Sequence, residues 1–215
     1  MIILSLDPAT STGYCLVKLY DNKRADIYEY GYLDVDTSSE YQGDHCIDLM
    51  EKIQKLIDAH QVKHITIEDY FFSPKFISGC SVNVAFRAAI HILARQNQLE
   101  YTILNISAWK MFVAGRATPT KEQKEKWGAD AAKKLYMQEA LWNKWKFRFP
   151  NHSISEKTHK PITFRYDIVD VVAQCIYYCC ATCQIPPLSI TLSVPVAQDV
   201  IFKRPGKKQF IYPNP

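Results

Sequence analysis

Four carboxylates in this chain sit where folding could gather them. Asp7 closes the apolar run of MIILSLD, Glu68 closes that of HITIE, and Asp167 and Asp170 open the helix-patterned stretch DIVDVVAQCIYYC. Acids at strand ends collect at one edge of a sheet, and acids three residues apart share one face of a helix. Hard divalent cations take oxygen ligands, and Mg²⁺ usually keeps several waters beside one or two carboxylates. Two such ions, about 3.5–4 Å apart, activate a water and stabilise the leaving oxygen in an in-line displacement at a phosphodiester. For any one acid the competing explanation is structural: an Asx turn after a strand, or an N-cap at Asp167. The four in this order, with these flanks, favour a metal site.

Positioning those acids requires a particular run of elements. Residues 2–6 read as a buried strand. A turn at Thr12 and Gly13 leads to a second strand from Tyr14 to Tyr20, and residues 26–34 alternate as a third, giving a meander. Residues 44–60 carry Ile47, Met50, Ile53, Leu56 and Ile57 at helical spacing, and His64 to Glu68 is the next strand. A helix over 81–98 places Val84, Ala88, His91, Ile92 and Arg95 on related faces; Tyr101 to Leu104 returns as a strand and 107–113 as a short helix. Residues 120–146 are lysine-rich and helical in pattern, 147–165 read as a loop or flap, and 167–183 form the last strong helix. Prolines from Pro186 onward predict an extended arm. The order is similar to that of an α/β ribonuclease H-like fold: a mixed central sheet, made of a three-strand meander plus parallel strands, flanked by helices.

Composition sets bounds on function. The 215 residues, 47% hydrophobic and 22% charged, suit a globular domain with a full core. No apolar run reaches the length of a membrane span, and the N-terminus starts directly on a strand pattern, so an intracellular, non-secreted protein is expected. Seven cysteines, an odd number without regular spacing, are expected to be reduced thiols. Cys175, Cys179 and Cys183 share a helix face and read as small core residues rather than as zinc ligands, which need a second pair. The net charge is only +4, but from Lys144 to Arg165 six basic residues face one acid, and the tail adds Lys203, Arg204, Lys207 and Lys208. Such clusters suit a phosphate backbone.

In IILSLDPATSTGYCLV, TIEDYFFSPKF, AWKMFVAGRATPTK and DIVDVVAQCIYYC, in that order, the chain resembles the RuvC-type Holliday junction resolvases. The resemblance covers about the first 183 residues and is similar to viral, phage or organellar relatives. It implies a nuclease domain over 1–184 and a Pro-rich basic C-terminal arm over 185–215. It implies paired symmetric nicks on four-way DNA junctions by two-metal-ion hydrolysis, with two Mg²⁺ per site and Mn²⁺ as a substitute. Asp7, Glu68, Asp167 and Asp170 match the metal-binding acids. Phe71 matches an aromatic that stacks on bases at the opened branch point, where a stacked base is worth about 1–3 kcal/mol. Lys110, and after it Lys121, match lysines near the scissile phosphate, where cations stabilise developing charge. Lys124 competes with Lys121 for that place, and Lys75 is a further DNA-contact candidate. The resemblance also implies a homodimer formed through the helix over 81–98, with Phe86, Ile90, Leu93 and Ala94 as candidate contacts. Ala9 stands where the family often has glycine, and the basic 122–165 segment is longer than in compact bacterial members.

The main alternative is a ribonuclease H-like nuclease acting on other branched DNA, flaps or RNA/DNA hybrids. An actin-like ATPase would need a second glycine-rich phosphate loop, which seven unclustered glycines do not supply. A catalytically silent nucleic-acid-binding module is disfavoured by the acids themselves, since a binding surface gains nothing from repelling phosphate.

Overall fold

A computed structural model describes residues 1–69, 77–149, 152–154, 161–163 and 167–194. The expected meander is formed by β1 (Ile2–Asp7), β2 (Ser11–Tyr20) and β3 (Arg24–Asp34), paired antiparallel in sequence order. Its first turn is closed by Thr12, whose hydroxyl donates to the Ala9 carbonyl at 2.7 Å. Helix α1 (Gln42–His60) leads to β4 (His64–Glu68), which pairs parallel to β1, and α2 (Ile77–Gln96) leads to β5 (Glu100–Leu104), parallel to β4. Then follow α3 (Ile106–Ala114), α4 (Lys121–Trp127) and α5 (Ala129–Trp145). A two-stranded ribbon, β6 (His152–Ile154) with β7 (Pro161–Thr163), precedes α6 (Asp167–Ala181).

Two parts of the sequence reading change. The single helical stretch over 120–146 is two helices, because Gly128 adopts φ 83°, a left-handed value that L side chains rarely take. The segment read as an arm begins inside the domain: β8 (Ile190–Leu192) pairs parallel to β3 and completes the order β5-β4-β1-β2-β3-β8. Ile190 is buried there. Helix α6 already ends at Ala181, with Gln184 at φ 54°, and the prolines at 186 and 187 lead through a short 3-10 turn without preventing residues 190–192 from joining a sheet edge. The ribbon likewise occupies part of the stretch read as a loop.

The sheet has a core on each face. Leu4, Leu6, Leu16, Ile65 and Ile67 pack with Leu49, Ile53, Phe86, Ile90 and Leu93 of α1 and α2. On the other face Ile3, Cys15, Val17 and Ile27 pack with Trp109, Met137, Leu141, Val169, Val172 and Ile176 of α3, α5 and α6. Cys175 and Cys179 are buried in this second core, as their helical spacing suggested. Phe86, Ile90, Leu93 and Ala94 are buried within the monomer, so they cannot be the contacts of a dimer. The periodicity that marked them was that of a core helix, whose inner stripe looks the same as an interface.

Candidate active site

Side chains alternate along a strand, so parity decides which face each acid joins. In β1, Leu4 and Leu6 point to the α1/α2 face, which leaves Ser5 and Asp7 on the other. In β4, Ile65 and Ile67 do the same, leaving His64, Thr66 and Glu68 beside them. The register pairs Ser5 with Thr66 and Leu6 with Ile67, so Asp7 and Glu68 come next as neighbours at the strand ends. The buried Thr66 hydroxyl donates to Ser5 Oγ at 2.8 Å, one step behind the two acids. His64 continues this polar file to the far end of β4, with Nε2 3.0 Å from Thr102 Oγ1 and 3.1 Å from the Tyr178 hydroxyl.

Glu68 is the best-defined of the acids. Burial pushes its carboxyl above the ordinary value, opposed by a hydrogen bond with Asp7. Asp170 raises it further, while the Lys110 ammonium and the Trp109 indole act in the other direction. The Trp109 Nε1–H donates to Glu68 Oε1 at 3.1 Å. Asp7, Glu68 and Asp170 therefore belong to one electrostatic cluster, assembled from β1, β4 and the first turn of α6. The backbone of Asp167 starts that same turn. Behind them stands Tyr136 of α5, 3% exposed, donating its hydroxyl to the Ala117 carbonyl at 3.1 Å. Its phenol is raised by burial first and then by Asp170 and Glu68, so it stays a neutral donor.

In front, a cleft of about 210 Å³ is lined by Asp7, Pro8, Glu68, Asp69, Asn83, Arg87 and Ile106. Arg87 reaches it from α2 and pairs with Asp69 at 2.6 Å. Lys110 lies on α3 with its Nζ 4.9 Å from the centre of the Trp109 ring. Lys121 is the first residue of α4, 91% exposed and 3.8 Å from Glu125, and Lys124 is exposed on the same helix. Among the described residues neither lysine contacts the three acids. Phe71 and Lys75 lie outside the described residues.

The donor set suits a hard divalent cation, because carboxylate oxygens crowded at a partly buried edge repel one another until a cation relieves them. Among the described residues no three donors converge closely enough to enclose an ion as they stand. Asp7 and Glu68 instead contact each other. Reading the sequence alone missed Trp109, Tyr136, Asn83 and Arg87. Trp109 had a signal, since an aromatic flanking Lys110 in a short apolar helix must bury its ring and find an acceptor for its N–H. The others are brought in only by packing.

A six-stranded mixed sheet in this order, helices on both faces and acids at the ends of its adjacent parallel strands define a ribonuclease H-like fold. Two structures solved for Thermus thermophilus RuvC share it. One covers 86% of this chain and 98% of its own at TM-score 0.55 and 11% identity. The other, in complex with Holliday junction substrate, covers 83% and 94% at TM-score 0.55 and 12% identity. Residues 3–128 match the family described as crossover junction endodeoxyribonuclease RuvC. Relatives of that name from Sulfurovum sp. (strain NBC37-1) and Dictyoglomus thermophilum are 34% and 31% identical over 127 and 125 residues. Each alignment spans 57% of this chain, and 76% and 77% of the respective relative. The chain belongs to the RuvC family. The family match ends at Gly128, before Asp167 and Asp170, so the place of that pair rests on the packing of α6.

Proposed function

We propose that this protein is an endonuclease that resolves four-way DNA junctions by paired symmetric nicks. The carrying observation is the side-by-side placement of Asp7 and Glu68, with Asp170 and Lys110 acting on the same carboxylate, in a chain of the RuvC family. Its relatives are named crossover junction endodeoxyribonucleases, and a structural neighbour was solved with Holliday junction substrate. Asp7, Glu68 and Asp170, joined by Asp167, would hold the divalent ions, with Mg²⁺ as the working ion and Mn²⁺ as a substitute. When bound, such ions supply an acidified water and a stabilised leaving oxygen. The chain's own residues do the rest. Lys110 and Arg87 set positive charge on α3 and α2 around the acids, where a phosphate would enter, and Tyr136 closes the rear of the site against water.

A four-way junction presents two equivalent strands, which suits a two-fold dimer. The face available for it is the outer side of α2 with the edge strand β5. Val84 and Ile92 are 45% and 54% exposed, and Tyr101 and Ile103 are 38% and 39% exposed. His91 joins the two elements by stacking on Tyr101 at 4.4 Å. The second copy in this proposal docks on that strip.

The test is a substrate panel: an immobile four-way junction, a flap, a fork and an RNA/DNA hybrid, each with Mg²⁺ or EDTA. Paired nicks confined to the junction and dependent on Mg²⁺ are expected. Equal cutting of flaps or hybrids would replace this reading with that of a broader ribonuclease H-like nuclease.

A further inference from the structure

Trp109 is fully buried, yet the single polar atom of its side chain ends at Glu68, the acid that closes β4. An indole N–H can only donate, and here it donates to Glu68 Oε1 at 3.1 Å. The ring has no freedom to choose another partner. It belongs to the core shared with Ile168, Val169 and Val172, the residues of α6 that surround Asp170. Its helix is fixed at both ends. The Asn105 side chain accepts from the Ala108 N–H at 3.0 Å, and Gly115, at φ 70°, donates to the Met111 carbonyl at 2.9 Å. Farther along α3, Phe112 packs edge-on against Tyr177 of α6 at 5.6 Å. The edge of the indole therefore holds an anion while its face carries a cation, the Lys110 ammonium 4.9 Å from the ring centre.

A carboxylate at a strand end has rotamers to choose from, and an ion ligand that wanders loses affinity. Hydrogen-bond partners that orient a ligand are commonly worth about 10–100-fold in metal affinity or activity. We propose that Trp109 is a positioning residue of this active site. Its N–H restricts the Glu68 carboxylate to one orientation beside Asp7 and the first turn of α6, and its ring keeps Lys110 beside them. This rests on reading the acids as ion ligands. It adds a residue whose chemistry is neither metal binding nor contact with DNA, and it ties the geometry of β4 to that of α6 through α3.

The experiment uses the full chain and reads ion binding apart from catalysis. Mn²⁺ affinity is measured by calorimetry without DNA. Junction affinity is measured in Ca²⁺, and single-turnover cleavage across a Mn²⁺ series. Trp109→Phe keeps an aromatic ring and removes the donor. It is expected to weaken Mn²⁺ binding about tenfold, to slow cleavage at low Mn²⁺ by a similar factor with recovery at high Mn²⁺, and to leave junction affinity within twofold. Should Trp109→Phe fail to fold, 3-benzothienylalanine placed at 109 exchanges only N–H for sulfur and is expected to do the same. Trp142→Phe serves as the control for loss of a tryptophan. Unchanged Mn²⁺ affinity in a folded Trp109 variant, with only thermal stability reduced, overturns the proposal. A wild-type chain that neither binds Mn²⁺ nor cleaves overturns the nuclease reading itself, and the proposal with it.

Discussion

Replacing Asp7 by asparagine should make the ion-free protein more stable while destroying its activity. Asp7 and Glu68 end adjacent parallel strands and contact one another, at a point where burial already raises the Glu68 carboxyl. Without a cation, that contact needs a shared proton, which near pH 7.5 is costly to retain. An amide at position 7 makes the same contact as N–H to carboxylate and requires no proton. A hydrogen bond to a charged group contributes about 1.5–3 kcal/mol; solvent reaching this partly exposed edge reduces that to about 1–2 kcal/mol. For a domain of this size, about 2–4 °C per kcal/mol gives a rise in Tm of about 2–8 °C in EDTA. Mg²⁺ should reverse the ranking, because an ion at about a hundred times its Kd adds about 2.7 kcal/mol to wild type alone. If the lost ligand removes about 4 kcal/mol of transition-state stabilisation, cleavage falls by about 10³-fold. Thermal unfolding with EDTA or Mg²⁺, beside single-turnover cleavage of a labelled junction, measures all three. An asparagine variant that is less stable in EDTA and still cuts within tenfold of wild type would refute the reasoning.

Two further outcomes follow from the same geometry. Glu68 has a raised folded-state pKa, so in the window above its ordinary value of 4.5 the native state binds more protons than the unfolded chain. In that window stability falls as pH rises, and Glu68→Gln should flatten this part of the Tm–pH curve in EDTA; parallel curves for the two proteins would count against a buried, proton-hungry Glu68. Val84→Glu with Ile92→Glu places charge on the exposed strip of α2 and should yield monomers by sedimentation while leaving Tm within about 4 °C, since each surface change rarely exceeds ~0.5 kcal/mol; a persistent dimer would move the interface elsewhere.

Much of the fold and part of the site could be read from local pattern. Ser5-Leu6-Asp7 and Thr66-Ile67-Glu68 repeat one motif: a small hydroxyl, an aliphatic, an acid. Period-two alternation sends the aliphatics to one core and the hydroxyls and acids to the other, so the pairing of the acids was implicit once the strands were assumed parallel. Other features depend on tertiary choice. The apolar stripe of α2 fits a core and an interface equally, and only the position of α1 decides that Phe86 and Ile90 face inward. Ile190–Leu192 is too short to announce a strand and becomes one because β3 leaves an edge open. In sequence Lys121 and Lys124 competed for the place of a second lysine after Lys110; α4 holds both on its surface, while α3 carries Lys110 to the acids.

The sheet itself explains why the remaining acids must come from a distant helix. On the α6 face, the neighbours of the Asp7–Glu68 pair are Gly13 of β2, opposite Asp7, and Leu104 of β5, opposite Glu68. The first has no side chain and the second is apolar and buried. Two strand ends thus offer two carboxylates and no more. A helix packed across them can add acids from its first turn, where the positive end of the helix dipole favours negative charge. α6 does this with Asp170, at the cost of placing like charges beside one another in the ion-free protein. That same repulsion raises affinity for a cation, because the ion removes an unfavourable contact as well as making favourable ones. In chain order the strand acids come first and the helix acids last, because α6 follows β1 and β4 and packs over their ends before β8 adds the far edge of the sheet.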